Sequence, residues 1–246
     1  MKMNKKASQK FQTETFNTLV REESQKRSIF ADNVAFRYER STLLSFMQNL
    51  STSSVLDIGC GTGRFAIPIA KIAKHVVGID TSDDSIKVFR AEVKKQRLKN
   101  ITGHVMDFRD LANKGEFDYV LLVNVVHHVP EIHELLEKIR KILRKNGTLV
   151  IFEFNPLNLL YVPWLICYKQ AFIHMNKEYF RSNIWTLGRI LDQAGYSVVS
   201  DFRYAFLPTV LYNVSPIFMK INSVLNSIPL LNELCAFHIL RCKIRK

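Results

Sequence analysis

The 246-residue sequence has only four cysteines, and none of them forms a CxxC pair or a spacing typical of metal ligands. This absence excludes a cysteine-based zinc module and predicts free thiols in a reducing compartment, so we expect a cytoplasmic protein. Internal repeats and low-complexity segments are also lacking. The length and the 47% hydrophobic content predict a globular protein with a substantial core, built as one domain of generous size or as one domain with an added cap.

Long apolar runs are missing as well. The two longest uncharged runs, residues 154–168 and 204–219, are shorter than the ~20 apolar residues that span a bilayer, and prolines and asparagines interrupt both. The basic first residues lack the apolar run of a signal peptide. We therefore expect neither a transmembrane helix nor a secretory leader.

Acidic residues are in short supply, since 22 Asp and Glu stand against 35 Lys and Arg, for a formal net charge of +13. The cations are scattered, with short clusters at residues 5–6, 94–99 and 241–246. Such an excess favours an anionic partner without identifying it, and it is also typical of a solvated surface. The lack of a basic and aromatic stripe argues against a nucleic-acid partner.

Strand-like and helix-like segments alternate along most of the chain. The predicted strands are residues 54–58, 75–80, 102–106, 117–123, 148–154, 196–205 and 236–245. The predicted helices are residues 18–30, 34–50, 65–73, 83–97 (capped by Ser82), 131–143 (ending at residues 146–147) and 183–193. This alternation predicts right-handed crossovers and a largely parallel sheet with helices on both faces.

A glycine-rich turn follows the first predicted strand, in the stretch VLDIGCGTGRF at residues 55–65. Gly59, Gly61 and Gly63 permit a tight turn and a close approach of the backbone to a ligand, although a purely architectural turn has the same composition. The spacing is not the dinucleotide fingerprint GxGxxG, because its third glycine would fall at Arg64. It is not a P-loop either, since the GK[ST] ending is lacking.

Two acids beside this turn indicate the kind of nucleoside. Asp57 opens the turn, and a carboxylate there repels a pyrophosphate but attracts an ammonium or sulfonium group. Asp80 ends the second strand, where an acid pairs with ribose hydroxyls. Together they indicate a nucleoside that carries a positive charge and no phosphate, and S-adenosylmethionine fits that description.

Five segments resemble, in order and spacing, the successive motifs of class I S-adenosylmethionine-dependent methyltransferases: VLDIGCGTGRF, VVGID, GHVMDF, FDYVLLVNVVHHV and LRKNGTLVIFEFNP. The resemblance covers residues 55–156. It implies an α/β, doubly wound, Rossmann-like fold with a seven-stranded, mostly parallel sheet and an antiparallel last strand. On this basis residues 1–50 are an N-terminal tail and helices packing on the core, residues 51–156 the cofactor-binding core, and residues 157–246 the rest of the sheet with apolar lid insertions.

The resemblance also implies a set of cofactor-binding residues. Asp57 and the three glycines would line the methionine end of the cofactor, and Asp80 would hold the ribose hydroxyls. Asp107 would bind the adenine amine, unless it only caps a helix. The remaining assignments are Phe108 beside the adenine, Asn124 at the pocket edge after the fourth strand (or as a turn cap), and Arg40 near the cofactor carboxylate.

His128 and Glu153 are the candidate catalytic residues. His127 and His128 follow the fourth strand, where the resemblance places the methyl group, and histidine is the natural base near neutral pH. Glu153 is a charge in an otherwise apolar strand and is costly to bury unpaired, so it either orients an acceptor or bonds the following turn. A zinc site using His127, His128 and His133 lacks a fourth ligand, so no metal is predicted.

The predicted function is methyl transfer from S-adenosylmethionine to an oxygen or nitrogen of a small or lipid-like acceptor. The turn after the fourth strand reads NVVHH, not the proline-containing turn of amino-methylating nucleic-acid enzymes, so base methylation loses support. The apolar insertions at residues 157–181 and 206–234, with the basic tail, predict either a self-packed lid or peripheral contact with the inner membrane surface. An RNA or protein methyltransferase and a non-catalytic cofactor-binding module remain alternatives, and the oligomeric state is open.

Overall fold

A computed structural model describes residue 14 and residues 33–112, 116–158, 160 and 179–245. The strands of the sheet are β1 Ser54–Ile58, β2 His75–Asp80, β3 Ile101–Val105, β4 Phe117–Val123, β5 Leu143–Phe154, β6 Tyr196–Tyr204 and β7 Phe237–Ile244. The described helices are α1 Val34–Ser45, α2 Ala66–Ala70, α3 Asp83–Lys95, α4 Ile132–Ile142, α5 Ile184–Gln193, α6 Ile217–Asn226 and α7 Pro229–Glu233. The predicted helix at residues 18–30 and most of the insertion at 157–181 lie outside the described residues.

The strands form one sheet in the order β3-β2-β1-β4-β5-β7-β6. The pairs of β1 with β2 and β4, of β2 with β3, and of β4 with β5 are parallel, whereas β7 runs antiparallel to β5 and β6. This confirms the predicted seven-stranded, Rossmann-like sheet with an antiparallel last strand. The strand order reverses between β1 and β4, and ligands bind doubly wound sheets outside the carboxyl ends of strands at such a point.

Local sequence signals explain several element boundaries. Ser82 caps α3, its hydroxyl accepting from the Ser85 N–H at 3.0 Å, with acids in the first turn of the helix and lysines in the last. Asn183 caps α5 in the same way, accepting from the Thr186 N–H at 3.0 Å. Both helices agree with their predicted spans to within two residues.

Two apolar clusters cover the two faces of the sheet. Alternate residues of each strand point to opposite faces, so Val55 packs in one cluster and Leu56 in the other. The first cluster includes side chains of α1, α2 and α3, and the second includes side chains of α4 and α5. No described helix is long and apolar enough to cross a membrane.

Two predictions about the later part of the chain were wrong. The predicted helix stop at residues 146–147 lies inside β5, which begins at Leu143, because Leu143 pairs with Phe117. The basic tail does not adjoin the apolar insertion at residues 206–234. Antiparallel β7 places Phe237 beside Phe154 at the carboxyl edge of the parallel strands, so its other end, where the tail begins, lies at the opposite edge.

Candidate functional site

A cavity of about 510 Å³ opens at the carboxyl ends of β1, β2 and β4, beside the point where the strand order reverses. Several predicted site residues line it: Gly59, Gly61, Asp80, Asp107, Phe108, Asn124 and His128. Its apolar wall comes from strand ends and turns that sequence reasoning did not single out: Ile58, Ile79, Met106, Val123, Val125 and Val129. The sequence could have indicated these residues, because each lies close to one of the polar motifs.

Asp80 ties the glycine-rich turn to the start of the next helix. Its Oδ2 accepts from the Gly61 N–H and its Oδ1 from the Ser82 N–H, each at 2.8 Å. Burial raises the pKa of Asp80, and the backbone hydrogen bonds oppose that shift. Three backbone N–H groups, of Gly61, Ser82 and Thr81, act on a carboxylate that offers about four lone-pair sites, so the side chain can still accept from a ribose hydroxyl.

The three glycines of the turn differ in how much space a side chain would find at each position. All have positive φ, at +71° for Gly59, +53° for Gly61 and +87° for Gly63. A Cβ at Gly59 would lie 2.5 Å from Val125 Cγ2, and one at Gly63 would overlap the ring of Phe89. A Cβ at Gly61 would meet no atom within 4 Å, so its backbone forms an open cradle at the cavity wall.

Asp57 is buried on β1 directly before the turn, with 2% of its surface exposed. Its Oδ1 has no hydrogen-bond partner among the described residues. Burial and the charge of Asp80 raise its pKa to about 8. A buried carboxyl with an orphaned oxygen fits a cationic ligand group, and with the Gly61 cradle and the Asp80 lone pairs it makes the site compatible with S-adenosylmethionine.

Asp107 caps a short helical turn, which was the alternative prediction for this residue, and it also lines the cavity. Its Oδ1 accepts from the Arg109 N–H at 3.0 Å, which caps a 3-10 turn over Phe108–Asp110. The Arg109 guanidinium binds both carboxylate oxygens, at 2.9 and 2.7 Å. Burial opposes ionisation, but these hydrogen bonds outweigh it and lower the pKa of Asp107. The Arg109 guanidinium also lies 5.1 Å from the centroid of the Phe108 ring.

Three of the predicted cofactor-binding residues are not among the described residues that line the cavity: Arg40, Asp57 and Gly63. Arg40 lies on α1 with its guanidinium 5.6 Å from the centroid of the Phe36 ring. Its contact with a cofactor carboxylate stays a prediction. The cofactor-binding roles of Asp57 and Gly63 stay predictions too, since neither residue lines the cavity.

Glu39 is a buried acid that sequence reasoning missed. It lies on α1 with 8% of its surface exposed, and its Oε2 pairs with Arg64 of the glycine-rich turn at 2.8 Å. Burial raises the pKa of Glu39, while Arg64 opposes the shift. The Thr209 hydroxyl lies 3.5 Å from Glu39 Oε1. Through Arg64 and Thr209, Glu39 therefore connects α1 with the glycine-rich turn and with the segment after β6. In a sequence, a charged residue on a predicted helix is expected to face solvent, so no feature of the sequence indicated that Glu39 is buried.

The two candidate catalytic residues lie in different surroundings. His128 lines the cavity, and its ring centroid is 4.0 Å from that of His127. Glu153 is fully buried and bonds the turn after β4. The prediction that it bonds the turn following its own strand was therefore wrong, because β4 and β5 are parallel neighbours whose carboxyl ends meet at one edge of the sheet. Within the part of the chain that the structure describes, no group of three or more His, Cys, Asp or Glu side chains is placed to hold a metal ion.

Comparisons with known proteins agree with this geometry. A family model described as a methyltransferase domain matches residues 49–205, more than half of the chain. A ubiquinone biosynthesis O-methyltransferase of Pelagibacter ubique is 36% identical over 113 residues, which are 46% of this chain and 47% of that protein. A demethylmenaquinone methyltransferase of Lactococcus lactis is 27% identical over 161 residues, covering 63% of this chain and 59% of that protein. The matches thus span about half the length of these relatives.

Solved structures show the same fold. The crystal structure of magnesium protoporphyrin IX methyltransferase from Synechocystis with bound SAH has a TM-score of 0.66 and 16% identity, covering 97% of this chain and 100% of that one. At this identity the likeness concerns the fold alone. The family match, the sheet order and the cavity beside the glycine-rich turn together give the assignment: the chain belongs to the class I S-adenosylmethionine-dependent methyltransferases.

Proposed function

We propose that the protein transfers the methyl group of S-adenosylmethionine to an oxygen or nitrogen of a small or lipid-like acceptor. The observation that carries the proposal is one cavity whose wall includes Gly61 after β1, Asp80 at the end of β2 and His128 after β4. The names of two relatives, which refer to ubiquinone and demethylmenaquinone, support a small acceptor with a quinone-like ring.

The chain's own residues supply binding, orientation and proton transfer. When bound, S-adenosylmethionine supplies an electrophilic methyl group on a sulfonium. Asp57 would attract the ammonium at the methionine end, and Asp80 would accept from the ribose hydroxyls. The apolar side chains of the cavity wall would line the reacting centre. For a hydroxyl acceptor, a ring nitrogen of His128 would take the hydroxyl proton as the oxygen–methyl bond forms and the methyl–sulfur bond breaks, which leaves S-adenosylhomocysteine. A neutral amine would attack through its own lone pair, and the resulting ammonium would release its proton to solvent.

Labelled cofactor tests the proposal directly. The purified protein is incubated with methyl-labelled S-adenosylmethionine and, in parallel, with a total lipid extract, a water-soluble metabolite extract and bulk RNA. We expect the label in the lipid fraction or in a small aromatic metabolite. Label in RNA, or in protein from a lysate, would support the alternative acceptors. Binding of S-adenosylhomocysteine without any transfer would support a non-catalytic module.

His128→Ala is expected to lower kcat for a hydroxyl acceptor by about 10²–10⁴-fold, because the general base is lost. Affinity for S-adenosylhomocysteine should change little, and the pH-rate profile should lose one titration. His133→Ala is the matched control, since His133 is exposed on α4 and should keep the wild-type rate. An unchanged rate and pH profile in His128→Ala would remove this residue from the reaction.

We further propose that the protein meets its acceptor at a membrane surface, through the outer face of α6. Ile217, Ile221 and Val224 form an exposed stripe on this helix, with exposed fractions of 52%, 38% and 65%. Asn222 points inward instead: it is 1% exposed and bonds the Leu207 backbone and the Tyr212 hydroxyl. A helix that turns its amide inward and its aliphatic side chains outward has the reverse of the usual surface pattern.

Charge and location favour an anionic lipid surface as the partner of this face. Between residues 206 and 234 the charged residues are Lys220, which is exposed, and Glu233, which pairs with Arg203. The face therefore carries a free cation and no unpaired carboxylate among its described residues. It follows β6, whose last residue pairs with Phe237 at the carboxyl edge, which is the edge that holds the cavity. Exposed apolar patches of this kind mark interaction sites.

Vesicle flotation tests this contact. We expect the protein to float with vesicles of phosphatidylcholine and phosphatidylglycerol, less so at high salt, and the double variant Ile221→Ser, Val224→Ser to lose more than about tenfold in binding. Ile72→Ser, at another exposed aliphatic residue, is the control and should float like the wild type. Absence from the vesicle fraction at both salt concentrations, or a dimer that the double variant dissociates, would contradict membrane contact.

A further inference from the structure

Glu153 gathers three hydrogen-bond donors of the turn that follows β4. Its Oε1 accepts from the N–H groups of Val125 and Val126, both at 2.7 Å. Its Oε2 lies 2.7 Å from Nδ1 of His127. A carboxylate has only acceptors to offer, so the His127 proton must lie on Nδ1.

Among the residues that the structure describes, the residue paired with Glu153 on the neighbouring strand supplies no charge that would explain its burial. His238 lies opposite Glu153 in the β5–β7 pair and is 1% exposed. Burial, together with the charge of Arg203, lowers the pKa of His238 to about 3, so its ring is neutral. The turn donors are therefore what stabilise a fully buried carboxylate, since an unpaired one would be very costly.

The turn that Glu153 holds is strained and forms part of the cavity wall. Asn124 has φ of +54°, in the left-handed region, and its N–H donates to Phe152 O at 2.8 Å. Asn124, Val125 and His128 all line the cavity. Two successive residues of β5, Phe152 and Glu153, thus fix the backbone of this part of the cavity wall. Non-glycine residues keep a positive φ only when the surrounding structure imposes it.

We propose that Glu153 is a positioning residue that, with His127, sets the conformation of the turn at residues 124–128 and thereby the wall against which the cofactor and the methyl acceptor pack. Glu153 acts through this turn and does not touch the acceptor. The inference rests on the cofactor site of the proposed function, but it makes no use of the acceptor.

Substitution of Glu153 by Gln gives a spectroscopic test. The Gln oxygen can still accept from both backbone N–H groups, but its NH₂ group then faces His127 Nδ1. We expect ring nitrogen-15 shifts to show the His127 proton moving from Nδ1 to Nε2, and affinity for S-adenosylhomocysteine to fall on the order of tenfold. Glu137→Gln on the outer side of α4 is the matched control and should change neither.

A pair of His127 variants separates positioning from general stability. The amide of His127→Asn can replace the Nδ1–H donor, so this variant should bind S-adenosylhomocysteine within about threefold of the wild type. His127→Phe leaves Oε2 without a donor and should bind on the order of tenfold more weakly. Circular dichroism confirms that each variant is folded. Equal affinities in all folded variants, with only the melting temperature lowered, would overturn the proposal, as would a His127 proton that stays on Nδ1 in Glu153→Gln.

Discussion

Gly63→Ala is expected to destabilise the protein by about 2–5 kcal/mol, which combines overpacking of the core with a left-handed backbone. The residue has φ of +87°, and a Cβ there would overlap the Phe89 ring and lie 2.9 Å from Ile67 Cδ1. Phe89 cannot retreat, because it is fully buried and its ring also packs against Gly78 and Gly103. Urea unfolding measures the loss, and a stability within about 0.5 kcal/mol of the wild type would contradict it.

Gly61→Ala, two residues earlier in the same turn, is the matched comparison. Its Cβ meets no protein atom within 4 Å, so the cost to folding is the φ of +53° alone, about 1–2 kcal/mol. The added methyl group projects where the cofactor would approach the backbone, so we expect a folded protein that has lost most of its affinity for S-adenosylhomocysteine. Calorimetric titration of both variants separates the two effects. Wild-type affinity in Gly61→Ala would mean that the cofactor does not contact this turn.

The central sheet could be predicted because its signals are local. The strands at residues 75–80 and 117–123 agree with the structure at both ends, since buried parallel strands are short apolar runs bounded by turn residues. The same holds for Ser82 as a helix cap. The cofactor-binding part of the site could be predicted from residues at the ends of such strands, because parallel strands bring their carboxyl ends to one edge of the sheet.

The parts that could not be predicted depend on pairing between distant segments. The early start of β5 depends on its pairing with Phe117, and the position of the basic tail depends on antiparallel β7. Glu39 is buried because Arg64 and Thr209 surround it, and both are distant in sequence. The three donors on Glu153 come from residues 26 to 28 positions earlier, so the sequence alone indicated the turn after β5 and missed the turn after β4.

Asp57 is expected to release a proton when the cofactor binds. Its carboxyl is buried and its Oδ1 is unpaired among the described residues. The titratable group that acts on it is Asp80, at the end of β2; Asp57 in turn helps to raise the pKa of the Cys60 thiol, and Arg64 is engaged by Glu39. Burial and Asp80 raise its pKa to about 8, so at neutral pH the carboxyl is mostly protonated. An ammonium group brought beside it favours the carboxylate and expels the proton.

The same shift predicts how folding stability depends on pH. The carboxyl has a higher pKa in the folded state than in the unfolded chain, so the folded state binds more protons between about pH 4 and 8. The contribution of Asp57 to stability is therefore fully present below the unfolded pKa and is lost as the pH rises towards 8. Asp57→Asn should flatten that part of the profile of unfolding free energy against pH, whereas Asp83→Asn, at an exposed residue, should not.

Calorimetry in buffers of different ionisation enthalpy counts the protons released. At pH 7 we expect most of one proton to leave per S-adenosylhomocysteine bound by the wild type, and close to none with Asp57→Asn. Asp57→Asn should bind this ligand about tenfold more weakly, because the ammonium loses its carboxylate. 5′-Methylthioadenosine lacks the amino acid portion, so it should bind both proteins alike and release no proton from either. Equal proton release from wild type and Asp57→Asn would place the titrating group elsewhere in the site.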